Sequence, residues 1–172
     1  MDRSGIDKLL QKIAKGDNTA FEKLYQSTNR GVFAFLYTYL HNYADAEDAM
    51  QTTYLKVKRG IASYRAGTNG RAWILQIAKN QALNEIAKKK RYAPFDEAEK
   101  IACETPFKES GVMQTLKRVL SEEEQRIVCL HVLWKYKHRE IADILDCPTG
   151  TVTSKYKRAI EKLKNALKEE QQ

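Results

Sequence analysis

Proline is scarce in this sequence, with three among 172 residues, and glycine is modest, with eight. Few positions therefore interrupt a helix. Alternating runs of β-branched residues are also scarce, so strands have little to build on. No stretch approaches the ~20 consecutive apolar residues of a membrane-spanning helix. The opening Met1-Asp2-Arg3-Ser4-Gly5 leads into a charged amphipathic segment instead of an apolar signal region. These absences predict a cytoplasmic protein without membrane insertion. The cysteines, Cys103, Cys129 and Cys147, are odd in number and scattered, with no C-x-x-C pair, which argues against a disulfide framework. Cys129 and His131 stand two apart and do not share a helix face, which speaks against zinc. No metal and no other cofactor is expected.

What is present favours helices. Hydrophobic residues make up 42% of the chain, enough for a packed core, and Ala, Leu, Lys and Glu dominate. A net charge of +8 suits an anionic partner, either nucleic acid or an acidic protein surface, although solubility alone also accounts for it. The length fits one medium domain or two small ones. The expected fold is all-α, in two helical domains joined by a flexible acidic linker.

Periodicity predicts helices over 5–15, 18–29, 31–42, 45–62 and 71–91, with Asp17 as an N-cap and a loop over Ser63–Gly70. Lys88-Lys89-Lys90-Arg91 closes the fifth helix, where cations complement the helix dipole or contact phosphate. Tyr92–Gly111 changes character: Pro94 and Pro106 stand among Asp96, Glu97, Glu99, Glu104 and Glu109. This divides the chain into a module over 1–92, a linker over 93–111 and a module over 112–172. In the second module, Ser121-Glu122-Glu123-Glu124 reads as a capping box opening a helix that runs to Trp134.

Arg139–Ala166 has the pattern of a helix-turn-helix. A short helix carries Ile141, Ala142, Ile144 and Leu145, Pro148 bars its continuation, and Thr149 is a natural N-cap for a long helix to Lys168. On a wheel, Val152, Tyr156, Ala159, Ile160, Leu163 and Leu167 form the core stripe. The outward side presents Ser154, Lys157, Arg158 and Glu161, with Thr153 and Lys155 on its flanks. Hydroxyls and arginine read base edges, and lysines contact phosphates, when such a helix enters a major groove.

In the first module, the helix over 45–62 buries Ala46, Met50, Thr53, Val57 and Ile61. Asp48, Gln51 and Leu55 share the opposite side, with Asp45 and Thr52 at its edge and Glu47 in the same acidic first turn. An acidic patch around an exposed leucine suits protein docking, whereas dipole complementarity explains only the carboxylates. Reading Asp45 and Asp48 as metal ligands finds no further His or carboxylate cluster in support. The helix over 71–91 buries Leu75, Ala78, Ala82 and Ile86. A second side carries Trp73, Ile77, Asn80 and Asn84. That side either handles unpaired bases, with Tyr64, Arg65 and Asn69 from the preceding loop, or is a buried tryptophan with solvated amides.

These motifs together resemble the extracytoplasmic-function (ECF) sigma factors of the sigma-70 family. The resemblance lies in Ala20–Tyr25, Asp45–Gln51 and Ala72–Asn80, then in Glu140–Leu145 and Gly150–Lys155. It covers about 20–91 and 115–166 of the chain. It implies a non-enzymatic protein that binds core RNA polymerase and promoter DNA and is a monomer when free. Asp45, Glu47, Asp48 and Gln51, with Leu55 beside them, would dock on the clamp helices of the largest polymerase subunit, and the second domain would meet the flap. Tyr64, Asn69, Trp73, Asn80 and Asn84 would capture an unstacked base of the −10 element. Thr151, Thr153, Ser154, Lys155, Lys157 and Arg158 would read the −35 element. The linker would thread the polymerase cleft, where its acidic run mimics an RNA backbone. An anti-sigma factor is expected to cover the 45–55 surface, the recognition helix, or both. The chain departs from the family pattern at Ser121, at Lys135–His138, at Asp146, and at Thr153 and Lys155. The rival readings are a dimeric helix-turn-helix repressor acting without polymerase, an RNA-processing enzyme, and a sigma-like decoy.

Overall fold

A computed structural model describes residues 3–92 and 111–169 of the chain. The chain divides into two compact units, Met1–Ala102 and Cys103–Gln172. All regular structure among the described residues is helical. No helix there is long and apolar enough to cross a membrane. The acidic run expected to act as a linker lies outside the described residues.

The first unit packs α1 (Arg3–Ala14), α2 (Asn18–Leu40), α3 (Tyr43–Arg59) and α4 (Gly70–Tyr92), with a 3₁₀ turn at Ile61–Ser63. Asp17 caps α2 as expected, its carboxylate accepting from the Ala20 amide at 3.0 Å. The break expected near residue 30 is absent, because α2 runs unbroken through Gly31. A glycine inside a helix costs only ~1 kcal/mol. Val32, Phe35 and Leu36, all fully buried, outweigh that by several-fold on the usual scale of ~2 kcal/mol per buried apolar side chain. α3 starts two residues earlier than expected. Asn42 is its N-cap, accepting from the Asp45 amide at 3.0 Å, and the helix ends at Gly60. Tyr54 joins α2 to α3: its hydroxyl meets that of Thr28 at 2.7 Å, and its ring lies 4.8 Å from Tyr25. Burial, only partly offset by that hydrogen bond, raises the Tyr54 pKa far above its ordinary value.

The second unit holds α5 (Gly111–Val119), α6 (Glu122–Val132), α7 (His138–Leu145) and α8 (Thr149–Glu169). Leu120, Val128 and Ala159 form one core cluster, with Leu116, Val119, Tyr156 and Leu163 packed on it. The capping box forms: the Glu124 amide donates to Ser121 Oγ at 3.3 Å, and the Ser121 amide to Glu124 Oε2 at 2.9 Å. The Glu124 side chain is 3% exposed and also accepts from Lys162 Nζ at 2.8 Å. One carboxylate thus caps α6 and fastens it to α8. Burial raises its pKa, but Lys162 and the Ser121 amide outweigh this and hold it below the ordinary value.

Two turns frame α7. Asp146 ends it in the left-handed region at φ 56°, and Lys135 enters it at φ 57°. Both are among the departures from the family pattern. The bent turn at 146–148 leads into α8, whose first amides, Thr151 and Val152, donate to the Pro148 carbonyl. Thr149 is therefore the first helical residue and not the cap, because the proline carbonyl already performs that function. The core stripe of α8 also shifts at its end: Ala166 is buried and Leu167 is 54% exposed.

Candidate polymerase and promoter interfaces

α3 turns Ala46, Ala49, Met50, Thr53, Tyr54 and Val57 inward. Glu47, Asp48, Gln51 and Leu55 consequently face solvent. Asp48, Gln51 and Leu55 follow i, i+3, i+7 spacing, so they form one row. Leu55 is 55% exposed, a large apolar side chain two turns beyond the carboxylates Glu47 and Asp48. Asp45, the fifth expected docking residue, is half-buried and ion-paired with Lys89 of α4. The basic end of α4 thus has a partner within its own unit. Lys56 Nζ donates to the buried Gln81 at 2.5 Å, which locks the two helices together behind this face.

The loop before α4 is folded against other parts of the unit. Arg65–Thr68 makes a turn closed by the Thr68 amide to the Arg65 carbonyl at 3.3 Å. Gly67 occupies it at φ 80°, where a glycine avoids strain. Asn69 is the N-cap of α4: its Oδ1 accepts from the Ala72 amide at 3.2 Å, and its carbonyl from the Trp73 amide at 3.0 Å. That leaves the Asn69 amide nitrogen to meet a ligand. Trp73 is half-buried, with its ring centroid 5.1 Å from that of Tyr64. Asn80 and Asn84 are exposed further along α4. Asn80 Oδ1 accepts from Gln76 at 3.1 Å, which turns its NH₂ outward as donor. The two readings of this side thus meet partway: the tryptophan is wedged against Tyr64, and the two amides are open.

In the second unit, Thr153, Ser154, Lys157 and Arg158 are exposed on α8, while Thr151 and Lys155 are half-buried. Three of the expected base- and phosphate-contacting groups already have partners. Thr153 Oγ1 donates to the Thr149 carbonyl at 3.0 Å and meets His138 Nδ1 at 3.1 Å. Ser154 Oγ donates to the Thr151 carbonyl at 3.0 Å. Lys155 is ion-paired with Glu123. A serine whose proton points into the helix offers only lone pairs outward, so it suits an amino group of adenine or cytosine. Behind α8, His138, His131 and Tyr156 pack as an aromatic cluster with centroids 4.5 to 5.0 Å apart. Sequence reasoning passed over these two histidines as binding-surface supports; their i, i+7 spacing carries no periodic signal across the turn between helices.

The described residues contain no group of three or more His, Cys, Asp or Glu able to hold a metal. Cys129 is buried, which pushes its thiol up to about 12.

Comparison with known proteins agrees with this geometry. Residues 24–92 match the family model for sigma-70 region 2, and residues 110–163 that for sigma-70 region 4. The chain is 29% identical to the ECF RNA polymerase sigma-E factor of Escherichia coli K12 over 178 residues, covering 92% of each. It is 25% identical to the RNA polymerase sigma-H factor of Pseudomonas aeruginosa over 179 residues, covering 93% of this chain and 92% of the relative. Among solved structures, the sigma factor RpoE of Bartonella quintana, in complex with the anti-sigma factor NepR, superposes with a TM-score of 0.66 at 22% identity, covering 86% of this chain and 96% of that one. CnrH in complex with the cytosolic domain of CnrY gives 0.65 at 18% identity, covering 95% and 97%. The chain belongs to the sigma-70 family, as an ECF sigma factor that joins core RNA polymerase in transcription initiation.

Proposed function

We propose that the two units divide promoter recognition between them, the first within residues 1–92 and the second within 112–172. The row Glu47, Asp48, Gln51 and Leu55 docks on the clamp helices of the largest polymerase subunit, with Asp45 at its edge. The loop and α4 receive an unstacked −10 base through Tyr64, Asn69, Trp73, Asn80 and Asn84. α8 enters the major groove at the −35 element through Thr151, Thr153, Ser154, Lys155, Lys157 and Arg158, and the same unit meets the polymerase flap. The observation that carries this reading is the pairing of two exposed surfaces of different character: a row on α3 that runs from Glu47 and Asp48 through Gln51 to the exposed Leu55, and cations and hydroxyls on α8. The carboxylate end of the first repels a phosphate backbone, and the second carries the cations that attract one.

The protein acts as a cytoplasmic, non-enzymatic monomer, held before release by an anti-sigma factor. The complex of the Bartonella relative supports such a partner, and the 45–55 surface and the recognition helix are the faces that it would cover. Run-off transcription with core polymerase on pooled genomic promoters tests the proposal. New start sites that require the protein, and that disappear in Asp48→Ala/Gln51→Ala, are expected. DNA binding without core and without new starts would instead establish the repressor reading.

A further inference from the structure

The loop that bears Tyr64 and Asn69 is held by a residue 57 positions earlier in the chain. Asp7 Oδ1 accepts from the Tyr64 hydroxyl at 2.5 Å and from the Gly67 amide at 3.1 Å, while Oδ2 accepts from Gln11 at 2.7 Å. These bonds keep the Asp7 carboxyl below the ordinary carboxylate range; burial and this partnership push the Tyr64 hydroxyl up to about 12. The loop and α1 also meet closely at Gly70. A Cβ there would stand 2.6 Å from Leu10 Cδ1, 3.1 Å from the Tyr64 hydroxyl and 3.3 Å from Ile6 Cγ2. Two independent features therefore draw the loop onto α1. Asp7 is the single acidic residue of that helix, which carries Arg3, Lys8 and Lys12. A carboxylate beside a DNA-reading loop repels phosphate, so its electrostatic effect works against binding and its hydrogen bonds are what it contributes.

We propose that Asp7 is a positioning residue for promoter opening: through the Tyr64 hydroxyl and the Gly67 amide it fixes the loop in the shape that receives an unstacked base. This rests on the −10 reading above. Asp7 does not touch DNA. It removes the ordering cost that a free loop would incur on meeting the melted strand, and it sets the Tyr64 ring against Trp73.

The test uses the full chain with core polymerase on a duplex promoter carrying 2-aminopurine in the −10 element, whose fluorescence reports unstacking. Asp7→Ala is expected to reduce opening roughly tenfold, the scale of losing charge-assisted hydrogen bonds. Asp7→Asn keeps an oxygen that accepts from both donors and should stay within about threefold of the parent. Affinity for core, and for a −35 duplex alone, should be unchanged in both. Tyr64→Phe keeps the ring and removes the hydroxyl; it should show the same opening defect and serves if Asp7→Ala fails to fold. Opening at the parental rate in Asp7→Ala or Tyr64→Phe overturns the proposal, as does an Asp7→Asn as defective as Asp7→Ala. Trp73→Ala separates the two levels. If it is defective while Asp7→Ala is normal, only the positioning role falls; if it too opens normally, the −10 reading falls with it.

Discussion

The exposed face of α3 and the exposed face of α8 differ in how far their side chains are already engaged. On α3, the row Glu47, Asp48, Gln51 and Leu55 projects into solvent, and the helix is capped from outside by Asn42. On α8, Thr153, Ser154 and Lys155 bond to the Thr149 and Thr151 carbonyls, His138 and Glu123. A surface that docks on a protein works as a preformed shape, and its affinity rests on a few central groups left free. On the proposed −35 reading, α8 would exchange the partners of Thr153, Ser154 and Lys155 for DNA as it binds. Lys155 shows what this arrangement would cost on the proposed −35 reading: its ion pair with Glu123 offsets part of the charge that it would bring to phosphate.

Breaking each face should therefore give different signatures. The largest effect is expected from Arg158→Ala combined with Lys157→Ala, which should weaken −35 duplex binding by about 10- to 100-fold and leave core binding unchanged. Competition binding at several salt concentrations measures this and should show a shallower salt slope. Next, Glu124→Gln should destabilise the second unit by about 2 kcal/mol, since it weakens both a cap and a link to Lys162. Denaturant unfolding with a probe in each unit checks that the first is unaffected. The pH dependence follows from the lowered pKa of Glu124. Its contribution is complete above the unfolded carboxyl value of about 4.5 and is lost as the pH falls through the lower folded value.

A smaller effect sharpens the contrast directly. Glu123→Ala should free Lys155 and tighten DNA binding about two- to threefold at low salt, the usual scale of an exposed ion pair. No such gain would mean that Lys155 does not reach phosphate. The smallest effect is expected at the turn after α7. Asp146→Gly should stabilise the second unit by about 0.5–1 kcal/mol, because glycine adopts φ 56° without the strain that aspartate bears there. Thermal melting detects this, and promoter preference should not move.

Where a local rule governed, the sequence was readable. Asp17 and the Ser121–Glu124 box are caps of recognisable composition, and both form. Ile61 falls past the end of α3, in the 3₁₀ turn, and is only half-buried, but from Ala46 to Val57 the buried side of α3 followed its periodicity. The continuous α2 did not, because the burial of Val32, Phe35 and Leu36 overrides a glycine that looks like a break when read alone. Asn69 before Gly70-Arg71-Ala72 carries a cap signal that its reading as a base contact obscured. The Asp7 tie to Tyr64 and the Lys89 pair with Asp45 join residues 57 and 44 positions apart, and no spacing rule reaches that far. The candidate surfaces were legible as faces; the bonds that already occupy them were not.

The sulfur of Cys129 offers a built-in clock. It is 6% exposed and, with its thiol pushed up to about 12, carries almost no thiolate in the folded chain. An alkylating reagent can reach it only when the packing around α6 opens, whereas Cys147 is partly accessible at all times. The rate at which Cys129 is labelled therefore counts openings of the second unit. It does so in the unaltered chain, and in the presence of DNA or polymerase.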